Sequence, residues 1–194
     1  MAIEVETPVL GEYMTVPHIK PGSMAGSKPY VAKPDHNTPL GFPGQLVEGW
    51  EQKAVTKLGE LVSQSRALQV FLDSCVKCGA CTDKCHYYLG TSDPKNMPVA
   101  RQDLLRSVYR RYYTFAGKFF PKLVGARDMT KDVLDEWYSY FHQCSQCRRC
   151  SVYCPYGIDT AEITMAAKEV MDSIGMGQKY TNEIIGKVHK IGNN

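Results

Sequence analysis

Eight cysteines fall in two runs of the same spacing, and nothing else in the 194-residue chain restricts its fold as strongly. The first run is Cys75-Val-Lys-Cys78-Gly-Ala-Cys81-Thr-Asp-Lys-Cys85. The second is Cys144-Ser-Gln-Cys147-Arg-Arg-Cys150-Ser-Val-Tyr-Cys154, followed by Pro155. Both read C-x2-C-x2-C-x3-C, and no cysteine lies outside them. Three thiolates two residues apart can curl around three corners of one iron–sulfur cubane. Structural zinc also takes four cysteines, but usually as two separated C-x2-C pairs rather than four within eleven residues. The opening MAIEVETPVL has neither the basic region nor the apolar stretch of a secretory leader. With the tight clustering, that argues against a disulfide framework.

The repeated spacing is the signature of proteins that hold two [4Fe–4S] clusters, in which the fourth cysteine of each run ligates the other cluster. One cluster is therefore assigned to Cys75, Cys78, Cys81 and Cys154, the other to Cys144, Cys147, Cys150 and Cys85. The crossover ties the two halves together and keeps the clusters close, as a wire for single electrons requires.

Around these runs the pattern is helical. Ala54, Leu58, Leu61, Ser65, Leu68 and Leu72 recur at helical spacing, so Trp50 to Phe71 is expected as one helix leading into the first run. Pro98 suits a first helical turn, with Leu105, Val108, Tyr109 and Tyr112 behind it. A third helix begins near Thr130 and carries Leu134, Trp137, Tyr138 and Phe141 on one face. A fourth follows the second run: Asp159 and Glu162 approximate a capping box, Ile163, Ala167, Val170, Met171 and Ile174 form the stripe, and Gly175 is the stop. A short helix, Tyr180 to Lys190, closes the chain. No alternating strand pattern is found. The expected fold is mostly α, an alpha-helical two-cluster ferredoxin domain over residues 47–194, built twice on the plan helix, cysteine loop, helix. Residues 1–46 hold seven of the eleven prolines, which remove backbone donors. They also carry Val9, Leu10, Tyr13, Tyr30 and Phe42, so they read as an extended arm laid across another surface.

The neighbouring residues say less. Lys77, Lys84, Arg148 and Arg149 flank the ligands; cations there would raise a cluster potential, although solvated loop charges are the commoner case. Gly79 is expected to serve close backbone packing. His86 stands where the second run has Pro155. It could donate to a sulfur or be an incidental loop histidine. Between the runs, Arg101, Arg106, Arg110, Arg111, Lys118 and Lys122 alternate with Tyr109, Tyr112, Tyr113, Phe115, Phe119 and Phe120. That segment is either an amphipathic core helix with a solvated basic face or a membrane- or partner-facing one.

Net charge is +3 with no concentrated basic face, which gives no support for nucleic-acid binding. No G-x-G-x-x-G or Ser/His/Asp set is present. With every cysteine committed, the chain reads as an electron relay without substrate chemistry and without catalytic residues of its own. No apolar run is long enough to span a bilayer.

The stretches CVKCGACTDKCHYYLGTSDPKNMPVARQDLLRSVYRR and FHQCSQCRRCSVYCPYGIDTAEI resemble the heterodisulfide-reductase-like iron–sulfur proteins, DsrK-like and related to HdrD and HdrC, from about Val47 onward. Cysteine spacing alone would equally suit glycolate oxidase or succinate dehydrogenase-type subunits. The resemblance implies a membrane-associated complex of dissimilatory sulfur metabolism. Electrons would come from a quinol pool through a membrane haem b subunit at the inner face of the cell membrane. They would leave through a heterodisulfide-reductase-like catalytic domain or subunit that reduces a disulfide or trisulfide, with a DsrC-type carrier protein as a candidate substrate. The family's catalytic domain carries CCG motifs, absent here, so the chain is expected to be the N-terminal part of a longer polypeptide or a subunit beside a separate catalytic one.

Overall fold

A computed structural model describes residues 45–178 together with Thr181, Ile184 and Val188. The expected N-terminal arm and most of the terminal helix lie outside the described residues. The helices are α1 (Trp50–Gln64), α2 (Arg66–Ser74), α3 (His86–Thr91), α4 (Pro98–Tyr113), α5 (Phe115–Phe119), α6 (Lys131–His142), α7 (Arg149–Val152) and α8 (Thr160–Ser173). Single 3-10 turns occupy Thr82–Lys84 and Pro94–Asn96. Among the described residues there is no strand, and no helix is long and apolar enough to cross a membrane.

The long helices begin where local chemistry starts them. Pro98 opens α4, where its missing N–H costs nothing. Thr130 caps α6 by accepting from Val133 N at 3.4 Å. Asp159 caps α8, its Oδ1 accepting from Ala161 N at 2.9 Å and Glu162 N at 3.4 Å. Ser151 Oγ donates to the same oxygen at 2.6 Å, so the cap also fastens the end of the second cysteine run to α8. Replacing Asp159 with alanine is expected to cost about 1–2 kcal/mol of stability, read as a lower midpoint in urea denaturation with an unchanged slope.

The expected single helix from Trp50 to Phe71 is two. Ser65 leaves helical geometry (φ −109°, ψ 98°) and becomes the N-cap of α2, accepting from Leu68 N at 3.2 Å. Its hydroxyl also donates to Glu162 Oε1 at 3.1 Å. Glu162 therefore reaches across to α1–α2 instead of completing a reciprocal box with Asp159. α8 ends as expected: Gly175 takes φ +87°, and Met176 N donates back to Met171 O at 2.8 Å. A Cβ on Gly175 would stand 2.2 Å from Gln45 O, so only glycine allows the stretch of chain at 45–47 to lie there. Val47 N then donates to Ile174 O at 3.2 Å.

α8 is the central element. It packs against α1, α2, α4 and α6, and its buried face meets Leu58, Leu72, Leu105, Leu134, Trp137 and Phe141 in one core. Trp137 is fully buried, stands edge-on to Phe141 with centroids 5.6 Å apart, and donates from Nε1 to Leu104 O at 3.2 Å. This core leaves the two cysteine loops together at one end of the bundle, each entered from a helix: α2 for the first, α6 for the second.

Candidate cluster-binding site

The two loops share a backbone pattern that the sequence does not advertise. In the first, Lys77 and Gly79 adopt left-handed φ of 57° and 78°; in the second, Gln146 and Arg148 do so at 58° and 60°. These are the same two positions of each run, two and four residues after its first cysteine. Left-handed residues between right-handed ones turn successive N–H groups toward a common concavity, an anion-binding arrangement. One such bond is present: Gln146 N donates to Cys144 Sγ at 3.4 Å. Three of the four positions are not glycine, so each loop holds strain of roughly 1 kcal/mol or more per such residue. Gly79 suits its φ of 78°, and among protein atoms a Cβ there would meet nothing nearer than Thr82 Oγ1 at 3.8 Å.

The thiols line two cavities. One, about 350 Å³ with its mouth included, is walled by Cys75, Cys78, Cys81, Cys154 and Cys150, the last shared with the second cavity, and by Val76, Val99 and Ile158. The other, about 340 Å³, is walled by Cys85, Cys144, Cys147 and Cys150 with His86, Pro98 and Arg101. Each cavity thus draws cysteines from both runs. Among the described residues, no three His, Cys, Asp or Glu side chains close around one point as a single metal ion requires. The donor set fits the group: four soft thiols on a largely apolar wall suit an iron–sulfur cubane.

Burial sets the electrostatics. It pushes the Cys81 thiol up to about 11, with Cys150 and Cys75 adding to the effect and a bond from the Val99 backbone opposing it. Burial raises Cys150 as well, with Cys144 and Cys85 adding and hydroxyls of Ser151 and Thr160 opposing. Iron must displace those protons, so cluster loading releases protons and is favoured by higher pH. His142, next to the second run, is pushed down to about 4 by burial and the nearby Lys168, and is neutral at pH 7.

The flanking cations separate into two kinds. Lys77 pairs with Asp103, Lys84 with Asp83 at 2.9 Å, and Arg148 with Asp159 at 3.4 Å; all three reach solvent, matching the solvated reading. His86 lies tilted against Tyr87 with ring centroids 4.5 Å apart, and burial, then Arg149 and Arg101, lower its pKa. The basic face of α4 is different. Arg101 and Arg106 are 2% and 5% exposed and turn inward, contrary to a solvated face. Arg106 Nη1 donates to Cys75 O at 2.9 Å, and Gln102 Nε2 to Phe71 O at 2.9 Å, fixing the entry to the first loop. Lys168 of α8 donates to Cys144 O at 3.2 Å. None of Arg101, Gln102 or Lys168 stands out in the sequence as a site residue, because their partners are remote along the chain. Phe115, Phe119, Phe120 and Leu123 remain exposed on α5 and the following turn.

Residues 71–158 match the family model described as a 4Fe-4S dicluster domain. Over 149 residues the chain is 50% identical to the Hdr-like menaquinol oxidoreductase iron-sulfur subunit 2 of Archaeoglobus fulgidus, covering 77% of this chain and 27% of that one. Over 136 residues it is 52% identical to the Hdr-like menaquinol oxidoreductase iron-sulfur subunit of Archaeoglobus profundus, covering 70% and 24%. It is 29% identical over 122 residues to a dihydromethanophenazine:CoB–CoM heterodisulfide reductase polypeptide of Methanosarcina barkeri, covering 61% and 29%. The chain spans about a quarter of the length of the curated relatives it matches. No solved structure gives a significant match.

Proposed function

The chain belongs to the heterodisulfide-reductase-like iron–sulfur proteins, and from that premise we propose that it relays single electrons through two [4Fe–4S] clusters within a larger redox complex. The observation that carries the reading is the pair of cavities, each lined by cysteines of both runs. Cys75, Cys78, Cys81 and Cys154 hold one cluster; Cys144, Cys147, Cys150 and Cys85 hold the other. Bound cubanes supply one-electron chemistry. The chain's own residues ligate them, exclude water with Val99 and Ile158, and set the local charge with α4.

The relatives' names support a reading of the two ends of the relay. The Archaeoglobus proteins are iron–sulfur subunits of a menaquinol oxidoreductase, and the Methanosarcina protein belongs to an enzyme acting on a heterodisulfide. We place this chain between a membrane haem b, quinone-reactive subunit and a catalytic site that reduces a disulfide or trisulfide, with a DsrC-type carrier as candidate substrate. On this reading residues 47–194 form the cluster domain, and the chain lies at the inner face of the cell membrane. The test uses native membranes that contain the complex. A reduced menaquinone analogue is expected to generate the EPR signal of reduced cubanes, and a quinone-site inhibitor to abolish it. Clusters that dithionite reduces but quinol does not would contradict the relay from a quinol pool.

A further inference from the structure

Arg101 is a buried cation without a buried anion. It is 2% exposed, and its three hydrogen bonds go to neutral acceptors: Nε to Tyr140 O at 2.9 Å, Nη2 to Asn96 O at 3.3 Å and to Asn96 Oδ1 at 3.1 Å. Among the described residues it makes no ion pair with a carboxylate. A buried charge in that condition is costly unless something of opposite sign lies near. Arg101 lines the cavity of Cys85, Cys144, Cys147 and Cys150. The same cavity has Arg149 on its wall, and Lys168 stands on the Cys144 carbonyl; neither makes an ion pair among the described residues. Its other neighbouring cations, Lys84 and Arg148, are offset by Asp83 and Asp159.

The first cavity is balanced differently. Arg106 is bonded to the Cys75 carbonyl, but Asp103 stands 3.7 Å from it and also pairs with Lys77. Asp73 adds a second carboxylate close to Arg110. Cations outnumber anions by one there, against three at the second cavity once the ion pairs are set aside.

A four-thiolate cubane is a dianion when oxidised and a trianion when reduced, so nearby positive charge stabilises the reduced form more. We propose that Arg101, seconded by Lys168, holds the cluster at Cys85, Cys144, Cys147 and Cys150 at the higher potential of the two, making it the first to accept an electron. The proposal rests on the crossed ligation above. It gives Arg101 a positioning and charge-compensating role, one that separates the two potentials.

The test is a redox titration followed by EPR on the anaerobically prepared chain, with iron and sulfide measured on every sample. Two waves are expected in the wild type. R101Q moves the higher wave down toward the lower one, which stays in place. R101K keeps the charge and leaves both waves at their wild-type positions, which a purely structural need for the guanidinium fork would not allow. K168M moves the same wave by less. Where R101Q fails to load iron, K168M decides: a fully loaded K168M with no shift overturns the proposal. Full iron with both waves unmoved in R101Q also overturns it, as does movement of the lower wave. A wild-type chain without cubanes fails the ligation reading and this proposal with it, whereas two clusters with unmoved waves sink this proposal alone.

Discussion

Replacing Cys85 and Cys144 together is expected to remove no more iron than replacing either alone, whereas replacing Cys85 and Cys75 together is expected to remove nearly all of it. Each cubane needs four thiolates, so alanine at any one ligand costs about four iron of about eight. A second substitution at the same cluster has nothing further to remove, and the pair is strongly non-additive; at different clusters the losses add. Cys85 belongs to the first run but lines the cavity of Cys144, Cys147 and Cys150, and Cys154 belongs to the second but lines that of Cys75, Cys78 and Cys81. If each run held its own cluster, the outcomes would exchange: Cys85 with Cys75 would leave half the iron, and Cys85 with Cys144 would leave almost none. Quantitative iron and sulfide on four variants separates the two arrangements without any activity assay.

The largest single loss of stability is expected at Trp137. Trp137→Ala empties the middle of the core, removes the edge-on contact with Phe141 and loses the Nε1 hydrogen bond to the Leu104 carbonyl, which Ser107 Oγ continues to satisfy at 2.9 Å. Such truncations cost about 3–5 kcal/mol, a large part of the roughly 5–15 kcal/mol that holds a domain folded. Trp137→Phe keeps most of the volume but not the N–H, and is expected to cost about 1–2 kcal/mol, for the lost hydrogen bond and the smaller ring, since Ser107 Oγ still donates to the Leu104 carbonyl. Urea denaturation of the loaded protein measures both. A loss below about 1 kcal/mol for Trp137→Ala would mean that α6 is not seated against α4 and α8 as described.

How much of this was legible depends on the range of the interactions. The starts of α4, α6 and α8 were readable because Pro98 suits the first helical turn by its own fixed φ, while Thr130 and Asp159 accept from N–H groups two or three places on. The cysteine runs were readable because thiolate spacing is itself the chemistry. The break at Ser65 was not: Leu61, Leu68 and Leu72 continue an apolar stripe through it, and the partner that fixes the serine, Glu162, is 97 residues on. Helices α3, α5 and α7 span six, five and four residues, too short to show a period. Arg101 and Arg106 had the spacing of a solvated face, and only acceptors on distant elements, Tyr140 O and Cys75 O, reveal that they point inward. Left-handed Gln146 and Arg148 were hidden as well. At Gly79 the first run has the residue such a conformation prefers, but the second has arginine in the same place.

The central claim is that this chain carries two cubanes close enough to exchange electrons. Anaerobic purification followed by iron and acid-labile sulfide analysis, with EPR on the reduced sample, tests it most directly. The account predicts about eight iron and about eight sulfide per chain, with spin–spin coupling between the reduced clusters. Little iron, no sulfide and about two zinc per chain would contradict it and make the two cysteine runs a structural zinc framework.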